Sequence, residues 1–462
     1  MVCTGIAENG EGLVIRVCVI ALLMIGNAGA AHAVAANAAA ATMADQAHRS
    51  KINGIDLITY HSNVKDVVVI LGVLPAGDAM GEPGNIAIPT LSGMMLDRGT
   101  KALDKFAITE KLDNVGAEIG FNVGVESLEV QAKCLKKDLP LIIETIAAEL
   151  RTPALQVSEF NRAKQQFIGE LEASAQNTGA RAAEAFNRAV FPPGHPNHPH
   201  TLNEYTAAAR SATIEEIRSF QAKYYGPAHM TLVIAGDVSD ADAQSEITKA
   251  FAGWSGGQDY VRPAKPAVTS AAAEITVPLA DKPSVTMMLG QATELRYSDP
   301  DALALHLGTA ILGRGFTGRL MGAVRDKEGL TYNIGASVRD DSVVDGAFEI
   351  TASFAPSLLS KGVESTRREL SKWWQDGVTD QELTVRKQGV IGSYAVGLST
   401  TLGLAQTILV NTQRGYDPSW LDDYPKALKA LTRDQVNAAI KNHLNPSTMV
   451  LVEAGSVQAL PK

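Results

Sequence analysis

The sequence has few cysteines, no excess of positive charge and no long apolar run, and each absence excludes a class of protein. Cys3 and Cys18 lie in a leader that we expect to be removed, so Cys134 has no partner for an intrachain disulfide. Cys134 lies in the alternating segment LEVQAKCL, which indicates a small buried hydrophobe rather than a nucleophile. The net charge of -9 argues against nucleic acid as a partner.

The N-terminal region has the pattern of a secretory signal. Arg16 precedes the apolar run VCVIALLMIG, which is too short to cross a bilayer as a helix, and AHA at 31–33 fits a signal-peptidase site. We therefore expect a signal peptide over residues 1–35, a disordered stretch over residues 36–47 and a periplasmic mature chain. No lipobox surrounds Cys18, so the sequence predicts no stable membrane anchor.

The rest of the chain contains an internal repeat. TIEEIRSFQAKYYGPAHMTLVIAGDV (213–238) aligns without gaps on TRDQVNAAIKNHLNPSTMVLVEAGSV (432–457), with Pro227 on Pro446. Strand-like and helix-like patterns occur in both copies, and DVVVILG near the start of one matches SVTMMLG near the start of the other. The repeat predicts two tandem homologous α+β halves, each a β-sheet with packed helices.

A composition shift separates the two copies. SGGQDYVRPAKPAVTSAAAE, residues 255–274, is rich in glycine, proline, serine and alanine, which is typical of a linker. The predicted halves are therefore residues 48–254 and residues 275–462.

Two motifs that attract attention give little support for chemistry. GHPNHPH contains His195, His198 and His200, but its prolines keep it irregular and it lacks the i, i+4 spacing of helical metal ligands. We interpret it as an exposed loop. LGRGFTGRL is rich in glycine, yet no GK[ST] follows, and the chain has no G-x-S-x-G motif.

The segment VRDKEGLTY has two interpretations. Its basic residues and Gly329 suit the end of a helix, and the alternating LTYNIGASV suits a strand, so a helix–glycine–strand junction explains it without any function. In that case Arg325 pairs with Asp326 or Glu328 on the surface, and Tyr332 packs against its surroundings. Alternatively, Arg325 and Tyr332 contact a substrate.

The motifs taken together resemble the pitrilysin/insulinase family of zinc metallopeptidases, which includes mitochondrial processing peptidase. The resemblance rests on HSNVKDVVVILGVLPAGDAMGE with a helix and DRGT after it, on FPPGHPNHP and the first repeat copy, and on ALALHLGTAILGRGFTGRLMGAVRDKEGLTYNIGASV. It covers essentially the whole mature chain. It implies that the two halves enclose a cavity suited to unfolded peptides.

Active members of that family carry H-x-x-E-H on a first-half helix and a further glutamate later in the chain. Two imidazoles and a carboxylate then hold Zn²⁺ with a position open for water, and the motif glutamate acts as general base. Here Thr90 and Met94 occupy the positions of the two histidines, and Gly93 occupies the position of the general base. Only Glu170 matches the third ligand. We expect no metal or other cofactor in this chain.

The family's second half contributes an arginine and a tyrosine that face the zinc motif. Arg325 and Tyr332 have the same spacing, seven residues. The resemblance implies that they donate hydrogen bonds to substrate carbonyls and to the oxyanion of peptide hydrolysis. Gly313, Gly315 and Gly318 are expected to let the preceding loop pass close to a peptide backbone.

Some bacterial relatives divide these two sets of residues between two chains. The resemblance therefore implies a non-catalytic subunit of a heterodimeric zinc metallopeptidase, inactive alone, with the zinc in a homologous partner that carries H-x-x-E-H. The alternative is a structural scaffold without any role in proteolysis, as in the core subunits of a respiratory complex. A solitary zinc peptidase would have to recruit His195, His198 or His306, whose spacing does not support it.

Overall fold

The computed structural model describes residues 42–81, 83–258, 267 and 271–457. The predicted signal peptide lies outside the described residues, and so does most of the predicted linker. Thr42–Lys462 forms one compact unit that contains two β-sheets.

The first half forms a mixed sheet in the order β1-β2-β6-β3-β5-β4. Its strands are β1 (Ala47–Ile52), β2 (Ile55–His61), β3 (Val67–Leu74), β4 (Glu118–Val123), β5 (Leu128–Leu135) and β6 (Thr231–Gly236). Its helices are α1 (Ile88–Gly93), α2 (Lys105–Asp113), α3 (Leu139–Arg151), α4 (Val157–Ala175), α5 (Thr178–Val190), α6 (Leu202–Ser211), α7 (Ile214–Tyr224) and α8 (Asp240–Ala250).

The second half forms a sheet in the order β7-β11-β8-β10-β9. Its strands are β7 (Ala273–Pro278), β8 (Val285–Ala292), β9 (Thr331–Arg339), β10 (Ala347–Phe354) and β11 (Val450–Gly455). Its helices are α9 (Ala302–Gly313), α10 (Leu359–Asp376), α11 (Asp380–Leu398), α12 (Thr401–Gln413), α13 (Trp420–Ala430) and α14 (Arg433–His443). A π-helical segment, Met321–Lys327, precedes β9.

The two sheets share one topology, which confirms the prediction of two α+β halves. The order β2-β6-β3-β5-β4 corresponds strand by strand to β7-β11-β8-β10-β9, and the β2–β6 and β7–β11 pairs are both parallel. The repeated segments occupy equivalent places, because α7 leads into β6 and α14 leads into β11. Thr213 and Thr432 each close a capping box at the start of these helices.

Two predicted boundaries differ from the structure. The stretch expected to be disordered includes a short 3₁₀ turn at Ala44–Gln46 and the first residue of β1, Ala47. The backbone N–H groups of Met43 and Ala44 donate to the carboxylate of Asp422, which anchors this end to the second half. The predicted linker likewise includes the start of β7, which pairs with β11. Both partners are distant in sequence, so local composition carries no sign of them.

Each sheet is covered on one face by its own half and on the other by a helix from the opposite half. Helix α5 of the first half packs on β8 and β11, where Phe186 is fully buried beside Met288 and Val452. Helix α12 of the second half packs on β3 and β6, where Leu404 and Ile408 are buried. Because both faces are covered, β8 is buried along its whole length. The exchange of helices makes the two halves a single core.

Among the described residues, no single helix has the length and apolar composition needed to cross a membrane. Only α11 and α12 meet that criterion together, and the pair is bent by 111°.

Removing a buried side chain of the exchanged helix α5 should destabilise both halves together. We expect Phe186→Ala to lower the free energy of unfolding by about 3–5 kcal/mol, because a fully buried aromatic ring leaves a cavity. Chemical denaturation should still show one transition, with its midpoint at a lower denaturant concentration. Phe106→Ala is the matched control, since that ring is 74% exposed and its loss should cost less than about 0.5 kcal/mol. Two separate transitions, only one of them moved, would contradict the single core.

Candidate functional site

Arg325 lies in the π-helical segment Met321–Lys327, directly before β9. Gly329 ends the segment in the left-handed conformation, with φ of 62°, as the sequence predicts. Its N–H donates to the carbonyl of Arg325 at 2.9 Å, and the N–H of Leu330 donates to that of Val324 at 3.0 Å. The turn is thus closed by backbone bonds and leaves the side chain of Arg325 free for other contacts. Short π-helical segments occur frequently at functional sites.

Tyr332 is the second residue of β9, an edge strand that pairs only with β10. Its side chain is 92% exposed, whereas the adjacent Thr331 and the nearby Ile334 are buried. The hydroxyl of Thr331 donates to the carbonyl of Ser353, which fixes the start of the strand. Tyr332 therefore does not pack against its surroundings, and the strand presents its phenol to the outside of the chain.

The side chain of Arg325 contacts an aromatic ring rather than an acid. Its guanidinium carbon lies 5.2 Å from the centroid of the Phe316 ring, and that ring is 75% exposed. Within the part of the chain that the structure describes, the guanidinium has no ion pair. Glu328, one of the acids considered as its partner, pairs instead with Arg368. The interpretation in which Arg325 pairs with Glu328 on the surface is therefore wrong.

The three glycines before the π-helical segment have different surroundings. A Cβ on Gly313 would lie 2.1 Å from the backbone nitrogen of Ala336, so glycine lets α9 approach β9. A Cβ on Gly318 would lie 3.0 Å from the backbone of Gly313. Gly315 is exposed, has φ of 68° and has open space where a Cβ would be. Packing within the chain thus accounts for Gly313 and Gly318, and contact of this loop with a peptide stays a prediction.

The positions that the resemblance aligns with the zinc motif are part of a packed core. The Thr90 hydroxyl donates to Oδ1 of Asp78 at 2.7 Å. A Cβ on Gly93 would lie 2.4 Å from Cγ2 of Val123, so the side chain of β4 fills the space beside α1. Met94 packs against the first-half core, and no side chain at these three positions offers a histidine or carboxylate ligand.

The acids near these positions do not replace the lost ligands. Burial raises the pKa of Asp78 to about 6, although hydrogen bonds from Thr90 and Tyr205 act in the opposite direction. Glu170 is exposed and accepts a hydrogen bond from Gln166 at 3.0 Å. No three or more histidine, cysteine, aspartate or glutamate side chains in the described ranges are grouped so that they could hold a metal ion.

The histidine-rich loop is a contact between the halves, and its prediction as an exposed loop is wrong for His195. This residue is 2% exposed and stacks on Phe191. Its Nδ1 accepts from the N–H of Asn197 at 3.0 Å, so Nε2 carries the proton and donates to Asp345 at 3.0 Å. Asp345 belongs to the second half, 150 residues later in the sequence. The burial of His195 depends on this distant partner, which the loop composition does not reveal.

Asp345 is held as a carboxylate at this contact. Burial would raise the pKa of Asp345, but hydrogen bonds from His195 and from the backbone N–H of Ala267 outweigh that effect and lower it. Asn197 adds a side-chain hydrogen bond to the carbonyl of Asp345 at 3.1 Å. The carboxylate of Asp345 therefore connects the histidine-rich loop of the first half to the second half and to Ala267.

The remaining candidates are also engaged within the chain. His198 donates from Nδ1 to the carbonyl of Phe191 at 2.8 Å, and Nε2 of His306 lies 2.5 Å from Oδ2 of Asp341. These histidines therefore do not form a zinc site with unusual ligands. Cys134 is buried, and burial raises the pKa of its thiol to about 12, in agreement with a packing role.

A cavity of about 570 Å³ lies at the junction of the halves, but it does not contain the Arg325/Tyr332 pair. Its polar lining includes Glu126, Asn197 and Asp340, which come from both halves. The pair lies elsewhere, on an exposed edge strand and the turn before it. The Arg325/Tyr332 pair is therefore on the surface of the chain and not in this cavity.

Sequence comparisons agree with the fold and with the altered motif. Residues 90–196 match the family model described as "Insulinase (Peptidase family M16)", and residues 211–390 match "Peptidase M16 inactive domain". An uncharacterized zinc protease of Streptomyces coelicolor is 25% identical over 369 residues, which cover 77% of this chain and 78% of the relative. The non-peptidase homolog YmxG of Helicobacter pylori is 20% identical over 393 residues, covering 81% and 86%.

Solved structures show the same fold. The peptidase M16 inactive domain from Pseudomonas fluorescens superposes with a TM-score of 0.82 at 22% identity, covering 90% of this chain and 99% of that one. The periplasmic protease PqqL from Escherichia coli superposes with a TM-score of 0.73 at 17% identity, covering 90% of this chain and 46% of that one.

The first matched region lies in the first half, the second runs from the end of the first half into the second, and together they make up more than half of the chain. The chain belongs to the M16, insulinase-like peptidase family. The match to the inactive-domain model and the relative described as a non-peptidase homolog support a non-catalytic member of that family.

The purified chain should hold no stoichiometric zinc. Thr90, Gly93 and Met94 supply no ligand, and the exposed carboxylate of Glu170 alone does not retain the ion. Elemental analysis after dialysis should find far less than one zinc per chain, and Glu170→Gln should not change the value. About one tightly held zinc per chain, lost in the Glu170→Gln variant, would contradict this.

Proposed function

We propose that this chain is the non-catalytic subunit of a heterodimeric periplasmic zinc peptidase. It supplies Arg325 and Tyr332 to an active site whose zinc is held by a homologous partner with an intact H-x-x-E-H motif. The observation that carries the proposal is that, among the described residues, the guanidinium of Arg325 has no ion pair and the phenol of Tyr332 is exposed, while the positions aligned with the zinc motif are packed. The secretory pattern of residues 1–35 supports the periplasm.

The surroundings of Arg325 suit a group that must contact a substrate. Stacking on Phe316 restrains the guanidinium without neutralising its charge, so its hydrogen-bond donors remain available. An ion pair would have occupied those donors. Arg325 therefore keeps a permanent positive charge at a position fixed by the closed turn around Gly329.

Tyr332 complements this charge with a neutral donor. It lies between Thr331 and Ile334, which pair with Phe354 and Ala352 of β10 on either side of a register shift, and its phenol is exposed at the edge of the sheet. An exposed aromatic side chain on an edge strand is an unfavourable choice for a chain that acts alone, because its apolar ring stays in water. Contact with a peptide or with a partner chain would remove the ring from water.

Together the two groups fit the demands of peptide hydrolysis. When water adds to a peptide carbonyl, negative charge develops on the oxygen, and donors already in position stabilise that charge. In the proposed complex the partner activates the water, and Arg325 and Tyr332 donate to the carbonyl oxygen. The described residues contain no group of metal ligands that could activate water, so we expect no hydrolysis without the partner.

The lengths of related proteins support a two-chain arrangement. This chain covers 46% of PqqL, which is described as a periplasmic protease, whereas it covers 99% of the inactive-domain structure. A chain of this length therefore corresponds to about half of a longer relative. A separate partner subunit would supply the other half.

The test is reconstitution of peptide hydrolysis with a zinc-bearing homologous chain from the same organism. We expect the mixture to cleave an unstructured fluorogenic peptide that neither chain cleaves alone. Arg325→Ala and Tyr332→Phe should each lower kcat by roughly ten- to a thousandfold, because each removes one donor to the developing charge. Co-elution of the two chains should be unchanged.

Arg367→Ala is the matched control for the loss of positive charge. Arg367 is on α10 and pairs with Glu274 at the surface, so its replacement should leave kcat within about twofold. Full activity in both the Arg325→Ala and the Tyr332→Phe mixtures would reject the proposal. The scaffold alternative would then take its place.

A further inference from the structure

Three arginines lie in or beside the loop 314–318 without an acidic partner among the described residues. They are Arg314, Arg325 and Arg386, called here the arginine cluster. None of the three side chains forms an ion pair with an Asp or Glu of the described residues. A neighbouring arginine does have an acidic partner. Arg319 donates from Nε and Nη2 to the two carboxylate oxygens of Glu382, at 2.6 and 2.7 Å. The chain as a whole is acidic, with a net charge of -9.

Contacts with the loop hold the cluster together. Arg386 on α11 donates from Nη1 to the carbonyl of Arg314 at 3.0 Å and from Nη2 to the hydroxyl of Thr317 at 3.2 Å. Phe316 belongs to the same loop, and the centroid of its ring lies 5.2 Å from the guanidinium carbon of Arg325. The guanidinium groups of Arg325 and Arg386 therefore both contact the same short loop.

The charges of the cluster repel one another. Burial lowers the pKa of Arg386, and the charge of Arg314 lowers it further. Glu382 shows the opposite situation, because hydrogen bonds from Arg319 lower its pKa to about 2 despite its partial burial. The fold thus neutralises Arg319 and leaves the cluster with an uncompensated positive charge. An anion bound beside the loop would relieve this repulsion.

We infer that the arginine cluster binds a carboxylate of the peptide substrate. This inference rests on the proposed function and adds a preference to it. Guanidinium groups match the planar, two-oxygen geometry of a carboxylate, and Arg386 uses only two of its five N–H donors on the loop. The carboxylate belongs either to an acidic side chain or to the C-terminus of the peptide.

The exposed rings on both sides suit the rest of a bound peptide. Phe316 is 75% exposed and Tyr332 is 92% exposed, so the positive charge is bordered by apolar surface in contact with water. A peptide with a carboxylate on the cluster can cover these rings with its neighbouring residues. The same peptide would lie beside the donors of Arg325 and Tyr332.

A structural role explains only one member of the cluster. Arg386 holds the loop through two hydrogen bonds, so the shape of the loop alone accounts for the presence of this arginine. Arg314 is exposed, and its side chain makes no hydrogen bond or ion pair to the residues that the structure describes. Its replacement therefore removes charge without removing a contact, which makes Arg314→Gln the clean test.

The experiment measures binding of labelled, unstructured peptides to the full mature chain by fluorescence anisotropy, without any partner. One peptide carries a free C-terminal carboxylate and no acidic side chain. A second is amidated at the C-terminus and carries one glutamate, and a third has glutamine in its place. We expect the first or the second to bind at least about tenfold more tightly than the third, and more weakly at higher salt.

Arg314→Gln should remove this preference, and Arg386→Gln should do the same while also loosening the loop. The matched control is Arg367→Gln, which removes an arginine that is paired with Glu274 and should keep the preference. Whichever peptide is preferred identifies the source of the carboxylate. Equal binding of all three peptides, no binding of either carboxylate peptide, or an unchanged preference in Arg314→Gln would overturn the inference. The reconstituted hydrolysis assay tests the proposed function separately.

Discussion

The exchange of helices between the two halves is the constraint on which the rest of the structure depends. Each sheet needs an apolar cover on both faces, and the second cover of each comes from the other half: α5 for the second sheet and α12 for the first. Neither half can therefore bury its sheet alone. The buried contact between His195 and Asp345 adds a polar connection at the same junction. The two halves are thus held as one body, and the edge strand β9 is held at its surface.

This rigidity accounts for the arrangement of the candidate site. The helix that the resemblance aligns with the zinc motif, α1, is part of the core, with Val123 against Gly93 and Thr90 bonded to Asp78. In the second half, the π-helical segment carries Arg325 and the edge strand β9 carries the exposed Tyr332. In the proposed function, the metal side of the chemistry therefore belongs to another chain, and this chain contributes a surface that donates hydrogen bonds. A second chain must supply what is missing if the surface is to act in catalysis.

Much of this was predictable from the sequence, because the decisive signals are local. The gapless repeat predicted the two matching sheets, the Thr213 and Thr432 segments carry the capping pattern that the helices use, and Gly329 takes the expected left-handed conformation. Contacts between distant residues were not predictable. The burial of His195 depends on Asp345, and the residues before the first strand are anchored by Asp422. Neither the exchange of helices nor the arginine cluster has a pattern of its own, since each arises only when separate segments meet.

The most direct test of the central claim is a structure of the complex with a zinc-bearing homologous chain. The motif glutamate of that chain would be replaced by glutamine, so that an uncleaved peptide remains bound. The account predicts that the guanidinium of Arg325 and the phenol of Tyr332 lie within hydrogen-bond distance, about 3 Å, of the carbonyl oxygen that faces the partner's zinc. A complex in which both side chains face solvent, away from the peptide, would contradict it.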